Sequence, residues 1–186
     1  MTVLITGATG LVGQELVNLL LQNGHNVHYL STSKSKLVTN TNYKGFYWNP
    51  KKAEIDTNAL TDVEVIIHLA GANVAKKWTT AYKEEIIESR VLSTQLLYQT
   101  LQKNSHQVKQ IISASAVGIY PDSLTDIYHE TDLDIDVSFL GNVVKQWENE
   151  VSQFEKLEII VSKIRIGIVL AKNGGALQEM AKPIQY

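Results

Sequence analysis

Short apolar runs alternate along this chain with longer stretches whose apolar residues recur at helical spacing. The runs Val3–Thr6, Val27–Ser31, Gly45–Trp48, Val65–Leu69, Gln110–Ala114 and Ile159–Ile164 read as strands. Ile166–Leu170 reads as a continuation of the last strand or as a separate piece. Leu11, Leu16, Val17, Leu19 and Leu20 mark one helix, and further helices are expected from about Thr80 to Gln102 and over Phe139–Phe154. Strands and helices in alternation predict an α/β fold, a doubly wound parallel sheet. Ser31 to Tyr43, rich in Ser, Thr, Lys and Asn, reads as a loop or a weak helix.

The two later helices differ in what they must meet. In Phe139–Phe154 the apolar residues Phe139, Leu140, Val143, Val144, Trp147, Val151 and Phe154 fall within about 140° on a helical wheel, a single buried stripe. In the longer helix Tyr82, Ile86, Ile87, Val91, Leu92, Leu96, Leu97 and Leu101 spread nearly all round, which predicts burial on more than one face. One face can meet the sheet; the other meets the chain's own loops or a second copy.

Composition narrows the class of partner. Seventeen basic and nineteen acidic residues give 186 residues a net charge of −2, and no basic block is long enough to track a phosphate backbone, so nucleic acid is not expected. An apolar fraction of 44% suits one domain with a real core. The chain has no cysteine, and His25, His28, His68 and His106 stand without metal-ligand spacing, so no metal is assigned. Met1 runs almost directly into the first strand and no apolar run would span a bilayer, which points to a cytoplasmic protein with no membrane contact.

The first strand leads into Thr6-Gly7-Ala8-Thr9-Gly10-Leu11-Val12-Gly13 and then the first helix. Such a strand–turn–helix aims free N–H groups and the positive end of the helix dipole at one point, while glycines let a pyrophosphate approach the backbone. Gly7, Thr9, Gly10, Leu11, Val12 and Gly13 are therefore candidate cofactor residues. The spacing is Gly-x-x-Gly-x-x-Gly, so the dinucleotide fingerprint is met in mechanism rather than in letter. Leu69, Ala70 and Gly71 close the fourth strand with small residues, where adenosine and ribose lie in open α/β sheets. Ser31, Thr32, Lys34 and Lys36 follow the second strand with no carboxylate among them. An acidic residue there would bond a ribose 2′-hydroxyl and a cation would accept a 2′-phosphate, so NADP is expected over NAD.

Thr-Gly-x-x-Gly-x-x-Gly near the N-terminus resembles the extended short-chain dehydrogenase/reductase superfamily, whose members include epimerases and dehydratases of nucleotide sugars. The run Leu69-Ala70-Gly71-Ala72-Asn73-Val74, then Trp78-Thr79, Ser89-Arg90-Val91, Ser113-Ala114-Ser115-Ala116-Val117-Gly118, Trp147-Glu148 and Arg165-Ile166-Gly167-Ile168-Val169-Leu170 is similar to one subgroup over essentially the whole chain. That subgroup, once labelled cell-division inhibitors, is now grouped with nucleoside-diphosphate-sugar epimerases. The resemblance implies a Rossmann-like NAD(P)-binding domain over residues 1–172 and the start of a C-terminal substrate segment over 173–186, with the C-terminal lobe absent. It also implies a small-molecule substrate, such as a nucleotide sugar, and a homodimer through the two later helices. In the subgroup the arginine at Arg90 and the glutamate at Glu85 face the cofactor, and an arginine commonly stands where this chain has Thr32, so Lys34 would supply the phosphate clamp.

Hydride chemistry in the superfamily uses a serine, a tyrosine and a lysine four residues beyond the tyrosine. Ser115 fits the serine position, with Ser113 adjacent on the strand. Counting back from Glu148 puts Leu140 and Val144 where the tyrosine and lysine belong, and neither can move a proton. The one literal match, Tyr47 to Lys51, contains Pro50, which argues against the helix such a pair needs. Substitute acid/base candidates are Tyr120, beside the serine strand, and Tyr128, His129 and Glu130 in the following loop. Two functions are thus expected to compete: hydride exchange on a nucleotide sugar, with Ser115 and Tyr120 catalytic, or nicotinamide binding without turnover as a sensor or interaction module.

Overall fold

A computed structural model describes residues 1–171 and 174–177. In chain order the main elements are β1 (Thr2–Thr6), α1 (Leu11–Gln22), β2 (Asn26–Ser31), β3 (Tyr43–Asn49), β4 (Glu54–Ile55), β5 (Val63–His68), α2 (Thr80–Lys103), β6 (Gln110–Ala116), α3 (Phe139–Ser152) and β7 (Ile160–Ile166). The strands form one sheet in the order β4-β3-β2-β1-β5-β6-β7. Every neighbouring pair is parallel except β3 with β4 at one edge.

The chain leaves β1 toward β2 and β3, then returns to the other side of β1 for β5, β6 and β7. Because crossovers are right-handed, this reversal places α1 on one face of the sheet and α2 with α3 on the other. The period-2 alternation of β1 serves both layers. Val3 and Ile5 pack with Val17 of α1, whereas Leu4 joins Leu96, Leu97 and Leu101 of α2. This is the doubly wound, Rossmann-like architecture, and its switch point is the gap between the carboxyl ends of β1 and β5.

The second face of α2 is met by α3 and by the turn at Pro50–Lys52, both from the same chain. Of Ile166–Leu170, only Ile166 belongs to β7. Leu170–Ala171 instead pairs antiparallel with Gly174–Gly175 as a separate piece. Most of the 173–186 segment, including Asn173, Met180 and Ala181, lies outside the described residues. The stretch after β2 is a loop with one short 3-10 turn at Lys34–Lys36. Tyr47 sits in β3 and Lys51 in the turn that Pro50 begins, so that literal match is no helical pair. Among the described residues no helix is long and apolar enough to cross a membrane.

Candidate functional site

The switch point is built by the glycine turn. Gly7 follows β1 at φ +72°, a conformation that suits glycine, and Gly10 N donates to Gly7 O at 2.9 Å to close the turn. Gly10 caps α1 without any side-chain hydrogen bond, and the first turn carries no acidic residue. Its first N–H groups and dipole therefore meet no answering charge from their own helix.

The three glycines do different work. A Cβ on Gly7 would lie 2.9 Å from the Leu69 backbone, and one on Gly13 would lie 2.2 Å from Gly7 O, so both are demanded by packing. A Cβ on Gly10 would meet only Gly7 O, at 3.2 Å. Of the three, Gly10 is the one at which packing leaves most room for a side chain.

A buried hydrogen-bond chain fixes this turn against β5. Thr6 Oγ1 accepts from Leu69 N and Ala70 N, both at 3.1 Å, which uses both its lone pairs. Its proton therefore goes to His68 Nδ1 at 2.7 Å. His68 Nε2 then carries the ring proton and donates to Thr94 Oγ1 at 3.0 Å, and Thr94 donates to Arg90 O at 2.7 Å. Burial, assisted by the nearby Arg90 charge, pushes His68 down to about 3, so the imidazole stays neutral.

The crevice encloses about 470 Å³. Of the candidate cofactor residues, Gly7, Thr9, Ser31, Thr32, Ala70, Gly71 and Glu85 line it, whereas Gly10, Leu11, Val12, Gly13, Leu69, Arg90 and Ser113 do not. Lys36 lines it rather than Lys34, whose ammonium lies 4.9 Å over the Tyr47 ring. Trp48, Asn49, Lys51 and Ser89 also line it. These were not picked out in the sequence, because only the sheet order brings the end of β3 beside β2 and only the α2 packing brings Ser89 there.

Glu85 does not join Arg90. It pairs with Lys51 at 2.5 Å, and Glu88 pairs with the same lysine at 3.0 Å. Helix geometry explains this: residues five apart are about 140° apart around the axis and residues two apart about 200°, so neither glutamate shares a face with Arg90. Arg90 instead donates to Ala72 O and Ile86 O, with its guanidinium against Gly71 and 5.3 Å over the Trp147 ring. Burial lowers its pKa, and among the described residues it has no carboxylate partner. A half-buried cation left in this state favours an anion nearby.

Ser115 and Tyr120 belong to a second cluster that does not line the crevice. Ser115 is buried and donates its hydroxyl to Glu148 Oε1. Arg165 grips the same carboxylate side-on, Nε to Oε1 at 3.0 Å and Nη2 to Oε2 at 3.1 Å, and donates from Nη1 to the Tyr120 hydroxyl. Burial pushes Glu148 up, but the hydrogen bonds from Arg165 and Ser115 and the charges of Arg165 and Lys163 outweigh it and hold the carboxyl below its ordinary range. Hydrogen bonding to Glu148 holds Arg165 above its own.

The loop candidates converge here too. Tyr128 stacks on Tyr120 with centroids 5.2 Å apart, His129 O accepts from the Tyr120 hydroxyl, and Glu130 O accepts from Arg165. Ser113 is buried and donates to Ala114 O at 2.9 Å. Sequence reasoning used Glu148 and Arg165 only as landmarks. The strand register that sets Arg165 opposite Ser115 was the missing information.

The model of the NAD dependent epimerase/dehydratase family matches residues 3–138. An epimerase family protein of Staphylococcus aureus is 36% identical over 187 residues, covering 98% of this chain and 60% of that protein. The crystal structure of human epimerase family protein SDR39U1 (isoform 2) with NADPH superposes with a TM-score of 0.78 at 26% identity, over all of this chain and 60% of that one. That of a nucleoside-diphosphate sugar epimerase from Corynebacterium glutamicum gives 0.80 at 30% identity, over all of this chain and 38% of that one. This chain thus spans about 60% of the length of the curated relatives it matches. With its glycine turn and switch-point crevice on the matched stretch, the chain belongs to the NAD-dependent epimerase/dehydratase family.

Proposed function

We propose that this chain binds a nicotinamide dinucleotide, NADP(H) in preference to NAD(H), and serves hydride exchange with a nucleotide sugar or a related small hydroxyl or carbonyl compound. The observation that carries this reading is the crevice lined by Gly7 and Thr9, on the turn that leads into the uncapped, acid-free N-terminus of α1. In this reading Gly10, Leu11 and Val12 hold the pyrophosphate through backbone N–H groups, and the adenosine end lies against Trp48, Ala70 and Gly71. Arg90 supplies a half-buried positive charge. Lys51 neutralises much of the charge of Glu85 and Glu88 at the crevice wall. The bound cofactor supplies or takes the hydride, and Ser115 and Tyr120 are assigned to the reacting end of the substrate. The human relative solved with NADPH and the sugar-nucleotide epimerase among the structural neighbours support the same class of ligand.

Selectivity follows from the end of β2. Lys36, Ser31 and Thr32 line the crevice there, and Ser31–Lys36 contains no carboxylate. One charge-assisted contact is of the order of 1.4 kcal/mol, so NADPH is expected to bind about tenfold more tightly than NADH. Calorimetric titration with both cofactors checks this, and Lys36→Met should erase the difference. Equal affinities in the unaltered chain, or a preference for NADH, would remove NADP(H) from the proposal.

One observation favours a second reading, nicotinamide binding without turnover. Leu140 and Val144 occupy the α3 positions of the usual tyrosine and lysine, and Val144 is buried. NADP-dependent conversion of a panel of nucleotide sugars separates the two readings.

A further inference from the structure

Among the described residues Tyr120 is the tyrosine whose oxygen accepts a hydrogen bond from a cation, Arg165 Nη1, while its own proton goes to His129 O at 3.0 Å. The guanidinium is held from behind by the side-on pair with Glu148, which also takes the Ser115 proton. Ser115 and Arg165 are register partners on β6 and β7. The cluster therefore stands at the carboxyl edge of the sheet, the edge that carries the crevice. We propose that Arg165, fixed by Glu148, is a positioning residue for Tyr120, and that Tyr120 with Arg165 forms the acid/base couple that Leu140 and Val144 cannot supply.

The inference rests on the hydride reading above. In a carbonyl reduction, for which a bound dihydronicotinamide would supply the hydride to carbon, the Tyr120 O–H gives its proton to the carbonyl oxygen. The phenolate left behind keeps the Arg165 hydrogen bond and then takes a proton from water. Alcohol oxidation runs the same transfers backward. A guanidinium suits this role because it stays protonated throughout and steadies the developing anion without giving up its own proton. Ser115, its proton held by Glu148, meets a substrate with its lone pairs and accepts from a hydroxyl.

Tetranitromethane nitrates phenolates, so it reads the couple without any substrate. Tyr82 is the internal reference: it is half-buried like Tyr120 and donates its O–H to Asn73 O at 2.6 Å, and the cation beside it, Lys76, lies over its ring at 5.5 Å without donating to its oxygen. Peptide mass mapping of the cofactor-free chain should show Tyr120 nitrated about tenfold faster than Tyr82, because Arg165 Nη1 donates to the oxygen of Tyr120 and steadies the anion on which the reagent acts. Arg165→Met should abolish the difference and Arg165→Lys should restore part of it. Equal rates in the unaltered chain, or a fast Tyr120 that persists in Arg165→Met, would overturn the assignment. Should Arg165→Met fail to fold, the Tyr120 to Tyr82 ratio in the unaltered chain still decides. Failure to bind NADPH would overturn the hydride reading instead, and would be seen apart from the nitration ratio.

Discussion

Gly10→Val should leave the chain folded and lower its affinity for NADPH by about a hundredfold or more, on the order of 2.8 kcal/mol. The new Cβ touches only Gly7 O at 3.2 Å, which a small adjustment relieves, but the branched side chain occupies the path to the N–H groups of α1. Gly13→Ala should do the reverse to the fold. Its Cβ would come within 2.2 Å of Gly7 O, a backbone atom at the base of the same turn. Alanine gains about 1 kcal/mol of helix propensity over glycine, but overpacking against backbone costs on the order of 3 kcal/mol and wins. Calorimetry for binding and thermal melts for stability separate the two variants. Unchanged affinity in Gly10→Val would show that the turn holds no ligand, and an unshifted melt in Gly13→Ala would show that the helix is not locked to the turn.

Acid should weaken the fold through His68. The folded value near 3 lies below the ordinary 6.5, so the unfolded chain takes up a proton that the folded chain refuses. The stability contributed is fully present above about pH 6.5 and is lost as pH falls from there toward about 3, at about 1.4 kcal/mol per pH unit. The depressed Glu148 acts in the same direction, so the His68 share must be read as a difference between proteins. His68→Asn keeps an acceptor for Thr6 and removes the titration. Urea midpoints measured from pH 7.5 to pH 4 should fall more steeply in the unaltered chain than in His68→Asn. Parallel curves would mean that the ring is protonated in the folded state or sits outside the core.

The residues that were legible in the sequence are those whose role is local. Gly7, Gly10 and Gly13 sit on one turn between a strand and a helix, and Leu69 to Gly71 follow one strand, so periodicity and glycine chemistry sufficed to find them. The α/β alternation gave the layers for the same reason. Two-residue β4 carries too little pattern to be seen. Long-range pairing was out of reach. Nothing in the order of residues says that Lys51 crosses to Glu85 and Glu88, or that Arg165 lies opposite Ser115 and so draws in Glu148 and Tyr120. Glu85 lines the crevice apart from Arg90, since a five-residue spacing turns the two side chains to different faces of the helix. Lys34 was passed over for Lys36 because the short 3-10 turn points the former at Tyr47.

Amide chemical shifts followed during an NADPH titration test the central claim most directly. A dinucleotide held as proposed should saturate one site, with the largest changes at the N–H groups of Gly10, Leu11 and Val12 and a second group over Ser31–Lys36, while β4 and the amino ends of the strands stay still. Absence of saturable binding, or a response centred away from the start of α1, would contradict the assignment of this crevice to a nicotinamide dinucleotide.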